Sequence, residues 1–127
     1  MDDFDTIWNR AVSMDFEPQL RGDNALQAVL RFHGLTMNGG VLHAMQQRDD
    51  SELDAIEAGY RWFGLNGVST LIASTRIAIN SGALDDDERG GILEQESDVR
   101  YNQLIPRDRA LVEAVLPRIE LNRSEFE

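Results

Sequence analysis

The sequence predicts a single all-α domain of about six to seven helices over residues 1–127. Apolar residues recur at helical spacing along nearly the whole chain, and the alternating pattern of strands is almost missing. A chain of 127 residues suits one domain. Glycine and proline separate the helical segments. Residues 1–19 are predicted as an N-terminal helix preceding the rest of the domain at 20–127.

The first half of the chain predicts three long helices. The stripe of the first is Phe4, Ile7, Trp8, Ala11 and Val12, and Pro18 closes that segment. Asp23 is expected to cap the second helix and Ser51 the third, because short polar side chains accept from the free amides of a first turn. Gly64 and the "LNG" that follows interrupt the third helix.

The second half predicts a buried helix followed by weaker ones. The segment "VSTLIASTRIAIN" has Arg76 as its only charge, so we expect it at the centre of the domain, ending at Gly82. Gly90 and Gly91 are expected to loosen the next helix, and Pro117 to kink or shorten the last. One contiguous core is predicted from the apolar stripes: Trp8, Leu30, Ile56, Phe63, Leu71, Ile72 and Leu116.

The stretch "TMNGGVLHAM" is predicted to turn the chain between two helices. Asn38 tolerates a left-handed conformation and can cap the next helix, while Gly39 accepts a positive φ and Gly40 permits close approach of another backbone. The alternative is a phosphate-binding loop, but such loops follow a strand or need a lysine, and neither is found here. The pattern therefore favours a structural corner.

Composition excludes several classes of function. The net charge is −11 and lysine is absent, which excludes a Schiff-base lysine and disfavours direct nucleic-acid binding. The lack of cysteine excludes disulfides and thiol chemistry. No apolar run is long enough to cross a membrane, and the start "MDDFD" is acidic, so we expect a cytoplasmic protein without a membrane partner.

Two segments hold the charge imbalance. Residues 49–57 carry five acids and no arginine, and residues 85–98 carry seven acids against Arg89. Acids at helix starts are expected for capping, but runs of four exceed what capping needs and favour either a solvated face or a basic partner. The predicted partner-binding residues are Asp49, Asp50, Asp54, Glu57, Asp85, Asp86, Asp87 and Glu88; Asp50, Asp54 and Glu57 are expected to form one exposed ridge.

Two histidines are the first candidates for catalysis. His33 lies on an apolar stripe, which is typical of a core histidine with one hydrogen bond. His43 could join acids of another helix in a metal site. No spacing singles out a catalytic pair or a metal-ligand set, so no catalytic residue, metal or cofactor is predicted.

Several motifs together resemble the bacterial DNA-mimic-protein family. They are the Asn-Gly-Gly corner behind a histidine-bearing helix, then "YRWFGLNG", "SDVRYNQL" and "LPRIELNRSEF", with Asp98, Tyr101 and Phe126 at the family's usual places. The resemblance covers roughly residues 20–127. It departs at Val41, where an aromatic is usual, and at His43, where glutamine is common. It implies a small all-helical domain, and for one member of the family an imitation of DNA.

These observations predict a non-enzymatic interaction protein that presents acidic helices to a basic partner. DNA mimicry toward a DNA-binding regulator is the form that the resemblance implies. One alternative is a small enzyme or metal-dependent hydrolase that uses His33 or His43 with carboxylates. Another is an immunity or antitoxin-like protein that blocks a nuclease. A homodimer is compatible with all three.

Overall fold

The computed structural model describes residues 3–127 of the chain, so the first two residues of the predicted domain lie outside the described range. The described residues form seven α-helices and no strand, which confirms the all-α prediction. The helices are α1 Asp3–Val12, α2 Arg21–Gly39, α3 Val41–Gln46, α4 Asp50–Trp62, α5 Asn66–Asn80, α6 Asp87–Leu104 and α7 Asp108–Leu121. Short 3-10 turns follow at Ala83–Asp85 and Arg123–Glu125.

The core is centred on α2 and α4 and is closed by the other helices. The segment predicted to be central, α5, buries only Val68, Ser69, Ile72 and Thr75 and packs against α4 and α6, so that prediction is wrong. Gly59 permits a close approach of α4 to α2, because a β-carbon there would lie 2.9 Å from the carbonyl oxygen of Ala25. Six of the seven predicted core residues pack in one cluster, although Trp8 and Leu71 are only partly buried at its edge. Leu116 is only half-buried and lies outside that cluster. The inward stripe of α7 is Leu111, Val115 and Ile119, and Leu116 is turned about 100° from Val115.

The corner is made by one glycine. Asn38 and Gly39 still belong to α2, and neither has positive φ, so the left-handed conformation that Asn38 tolerates and the positive φ that Gly39 accepts are not used. Gly40 has φ +94°, and its N–H bonds the carbonyl of Thr36 at 2.7 Å. The start of α3 is capped by Asp98 of α6, whose Oδ1 accepts from the Val41 amide at 2.8 Å, and not by Asn38.

The predicted caps of α2 and α4 are displaced. Asp23 lies inside the first turn of α2, fully buried, and binds Arg10 at 2.9 Å and the amide of Glu127 at 2.7 Å. A buried carboxylate needs such partners, which arrive from distant parts of the chain and leave no local pattern. The cap of α4 is Asp49, which accepts from the Glu52 amide at 2.8 Å, while Ser51 donates to Asp49.

Of the other predicted helix ends, the structure confirms some and contradicts others. Gly82 has φ +90° and lies two residues after the last residue of α5, Asn80, where its N–H donates to the carbonyl of Ile79 at 3.0 Å, so the helix ends beside this glycine as predicted. Gly90 and Gly91 do not interrupt α6, which continues to Leu104, and α7 continues for four residues past Pro117. Packing against α3 and α5 holds α6 helical despite the low intrinsic propensity of its glycines.

Candidate functional site

The first acidic segment, residues 49–57, is bound by an arginine of the same chain. Arg76 of α5 donates from Nη1 to Asp54 at 2.8 Å and to Glu57, and its Nη2 lies 3.3 Å from Asp50. Arg76 therefore pairs with all three carboxylates of the predicted ridge, a contact that we call the Arg76 clamp. The prediction that the ridge is uniformly exposed is wrong. Asp50 and Asp54 are 91% and 72% exposed, but Glu57 is only 14% exposed and Arg76 20%.

The electrostatics of this segment follow from its hydrogen bonds. Those to Asp54 and Glu57 raise the pKa of Arg76 above its ordinary value, so the guanidinium stays charged. The Glu52 amide, followed by the Ser51 hydroxyl, lowers the pKa of Asp49, because both donate to its carboxylate. Each acid of this segment thus has a hydrogen-bond or ion-pair partner within the chain.

The acidic run at the start of residues 85–98, which is residues 85–88 and is called the second acidic segment below, has a different environment. All four side chains are exposed. Asp86 caps α6 by accepting from the Glu88 amide at 3.1 Å. Within residues 3–127, Asp85, Asp87 and Glu88 make no ion pair, although each lies at or near a helix start where the dipole favours negative charge.

A groove of about 430 Å³ begins beside this second segment. We call it the acidic cleft: it lies between α3 and α6 and carries the side chains of Asp86, Asp87, Glu94 and His43. The lining also includes Gly39, Gly90 and Gly91, which have no side chains, so the cleft is wide at these positions. The His43 ring packs over Gly39, where a β-carbon would come within 2.5 Å of the ring. The result is a concave surface with three carboxylates and no arginine in its lining.

The two histidines lie in separate places. His33 is buried, as expected, but forms two hydrogen bonds and not one: between Nδ1 and the Tyr101 hydroxyl at 2.7 Å, and between Nε2 and Asp108 Oδ1 at 2.8 Å. Tyr101 and Tyr60 are joined through their hydroxyls at 2.9 Å. Burial raises the pKa of both tyrosines. This chain of side chains connects α2, α4, α6 and the start of α7, whereas His43 faces the acidic cleft.

Neither histidine belongs to a set of potential metal ligands within the described range. Over residues 3–127, no group of three or more histidine, aspartate or glutamate side chains is placed to hold a metal ion. Over the same residues, the structure contains no helix with the length and apolarity needed to cross a membrane.

The residues that carry the family resemblance have structural partners here. Asp98 caps α3 and Tyr101 joins the buried hydrogen-bond chain. Phe126 is buried against α2, because a β-carbon at Gly22 would come within 2.5 Å of its ring. These three positions are therefore explained by the fold without a binding role.

Sequence reasoning missed the Arg76 clamp, although a signal for it was present. Arg76 is the only charge in the apolar segment "VSTLIASTRIAIN", and a lone arginine in such a helix needs an acidic partner nearby. The acidic cleft had no comparable signal, because it joins residues more than forty positions apart, such as His43 and Asp87.

Comparison with known proteins identified no similar protein. No protein-family model matches the chain, and no curated protein sequence or solved structure shows significant similarity to it.

Proposed function

We propose that this protein is a non-enzymatic, cytoplasmic interaction protein whose acidic cleft binds a basic partner protein. One observation carries the proposal: the cleft gathers Asp86, Asp87 and Glu94 in a concave surface without an arginine of its own. Unneutralised carboxylates in a groove concentrate negative potential and attract cationic side chains. The exposed Asp85 and Glu88 beside them extend the same field.

The partner is expected to present arginine or lysine side chains to the cleft. A DNA-binding regulator fits this description, with the carboxylates standing in for phosphates, and so does a nuclease that the protein would block. The resemblance to the DNA-mimic-protein family supports the first form. Because Arg76 already pairs with Asp50, Asp54 and Glu57, these carboxylates are less available to a partner protein. We therefore assign most of the partner binding to residues 85–88 and Glu94.

The test is affinity capture from the native cell extract at low and high salt, with the captured proteins identified. The variant Asp87→Asn/Glu94→Gln removes two charges from the cleft, and Asp15→Asn/Glu120→Gln removes two exposed charges elsewhere. We expect the cleft variant to capture less of one basic protein and the control to capture it as the wild type does. Salt should weaken binding because it screens exposed charges.

DNA competition separates mimicry from other acidic recognition. Free duplex DNA should displace the captured partner if both occupy its basic groove, while the protein alone should not bind DNA. A partner whose capture ignores salt, DNA and the cleft substitutions would overturn the proposal.

The enzymatic alternative is supported by one observation, which is that His43 shares the cleft with carboxylates. A hydrolase would need His43 as general base or metal ligand. Calorimetric titration with Zn²⁺ or Mn²⁺ of the wild type and of His43→Ala tests this form. Stoichiometric binding that His43→Ala abolishes would favour it over the interaction role.

A further inference from the structure

A second groove, of opposite charge, lies between α2 and α4. It consists of two hollows of about 360 and 180 Å³ that share Asn24 and Ala55. Alanine and glycine line most of its length at helical spacing, so no large side chain fills the surface crevice along which the two helices pack: Ala25, Ala28, Ala55, Ala58 and Gly59. None of its residues lines the acidic cleft. We call it the arginine groove, after Arg21, Arg31 and Arg48 in its walls.

The charges of the arginine groove are mostly free. Within the described chain, Arg31 makes no ion pair or hydrogen bond, and Arg21 makes only a cation–π contact, 5.8 Å from the centre of the Trp62 ring. Arg48 pairs with Glu52 at 3.0 Å, but its Nε is buried without a hydrogen-bond partner. Three guanidinium groups thus face one carboxylate, in a protein whose net charge is −11.

The spacing of the free arginines indicates the shape of a ligand. Arg21 and Arg31 are ten residues apart on α2, which corresponds to about 15 Å along the helix. Trp62 lies at the Arg21 end, and Phe32 and Ile56 lie at the Arg31 end. Small side chains between these ends leave room for the ridge of a third helix.

We propose that the arginine groove binds an acidic amphipathic helix of a partner protein. Its carboxylates, about three turns apart, would pair with Arg21 and Arg31, and its apolar residues would lie over the alanines. Charge complementarity selects this occupant over a second copy in a symmetric dimer, because a two-fold contact would set the arginine grooves of both copies against each other. Repulsion from distant carboxylates is screened over about 8 Å at physiological ionic strength.

The probe is a stapled synthetic helix of about fifteen residues, a length marginal for an isolated helix, with two glutamates ten residues apart and leucine and alanine between them. A scrambled peptide of the same composition is its control. Fluorescence anisotropy measures affinity, and amide shifts in ¹H–¹⁵N spectra locate the contact. We expect saturable binding of the designed peptide only, with shifts confined to α2 and α4.

Arg21→Glu/Arg31→Glu is the decisive variant. Its matched control is Arg89→Glu/Arg107→Glu, which reverses two other exposed arginines without ion pairs in the described chain. We expect the groove variant to weaken peptide binding at least about tenfold and the control to leave it unchanged, because close charge pairs dominate such contacts. Circular dichroism verifies that both remain folded.

A second pair of variants tests whether bulk and negative charge placed inside the groove block the peptide. Ala55→Glu adds a charged side chain at an exposed position between the two hollows, and Thr70→Glu adds one at an exposed position of α5. Only the first should reduce binding. The proposal is overturned by equal loss in both arginine variants, by equal binding of the scrambled peptide, or by peptide shifts at the acidic cleft. It is also overturned if α2 and α4 shifts depend on protein concentration without peptide, which would indicate a second copy in the groove.

Discussion

The two acidic segments carry the same signal in the sequence and have different environments in the structure. Residues 49–57 lie along α4, beside α5, and Arg76 reaches from α5 to three of their carboxylates. Residues 85–88 lie before and within the first turn of α6, where Asp86 caps the helix and no arginine reaches the others among the described residues. A run of acids therefore shows where negative charge is, but the neighbouring helix decides whether that charge is available to a partner.

The largest expected effect comes from removing the clamp. Arg76→Met keeps most of the apolar stem and leaves Glu57, only 14% exposed, without its cation. We expect the free energy of unfolding to fall by about 2 kcal/mol, less than for a fully buried pair because Asp50 and Asp54 are exposed. Denaturant unfolding measures it. Arg89→Met, beside the second segment, is the control and should stay within about 0.5 kcal/mol of the wild type.

Neutralising each segment in turn should separate stability from binding. Asp50→Asn/Asp54→Asn/Glu57→Gln is expected to lower the free energy of unfolding by about 1 kcal/mol, because Arg76 keeps hydrogen-bond acceptors but loses their charge. Neutralising Asp85, Asp86, Asp87 and Glu88 to their amides should leave stability within about 0.5 kcal/mol of the wild type and slow association with a basic partner. Equal effects of the two sets on both measurements would show that the segments do not differ.

The sequence predicted the fold class and most of the core because these depend on local periodicity. Leu30, Ile56, Phe63 and Ile72 each lie on the apolar stripe of one helix, and such stripes face the core whatever the topology. The prediction was wrong at Leu116, where two adjacent apolar residues left the orientation of α7 open.

Polar details were predicted less well, since they depend on contacts between distant residues. Asp23 was read as a cap because its neighbours allow one, yet Arg10 and Glu127 bind it in the interior. At the corner, Asp98 from α6 supplies the cap that local reasoning assigned to Asn38. The acidic cleft forms for the same reason, because α3 and α6 are neighbours in the fold. No residue spacing in the sequence predicts that these two helices are neighbours.

The acid sensitivity of the first segment provides a smaller test. The Asp49 carboxylate accepts hydrogen bonds as the cap of α4, which lowers its pKa below 3.8. Above about pH 5 the carboxylate is ionised in both the folded and the unfolded chain, so its contribution to stability is fully present. As the pH falls toward the lowered folded pKa, the unfolded chain takes up the proton more readily, and this contribution is lost.

Asp49→Asn keeps a capping acceptor but cannot titrate. We therefore expect this variant to lose less stability than the wild type between about pH 4 and pH 2, as followed by thermal unfolding at each pH. Asp87→Asn, in the second segment, makes no capping bond and should lose stability as the wild type does. An unchanged acid response in Asp49→Asn would mean that its cap is not an energetic feature of the fold.

The smallest expected effect concerns repulsion within the second segment. Asp85 and Asp87 flank the capping Asp86 and make no ion pair in the described chain, so their charges oppose each other across exposed positions. Asp85→Asn/Asp87→Asn should raise the free energy of unfolding by less than about 0.5 kcal/mol at low ionic strength, because exposed charges interact weakly through water. High salt should remove the gain by screening the same repulsion in the wild type. Asp86→Ala should instead lower stability at every ionic strength, because it removes an acceptor from the first turn of α6. A loss of stability that persists at high salt, where the attraction of these charges to the start of α6 is also screened, would indicate that Asp85 or Asp87 has an internal role like that of Glu57, and the two acidic segments would then be alike.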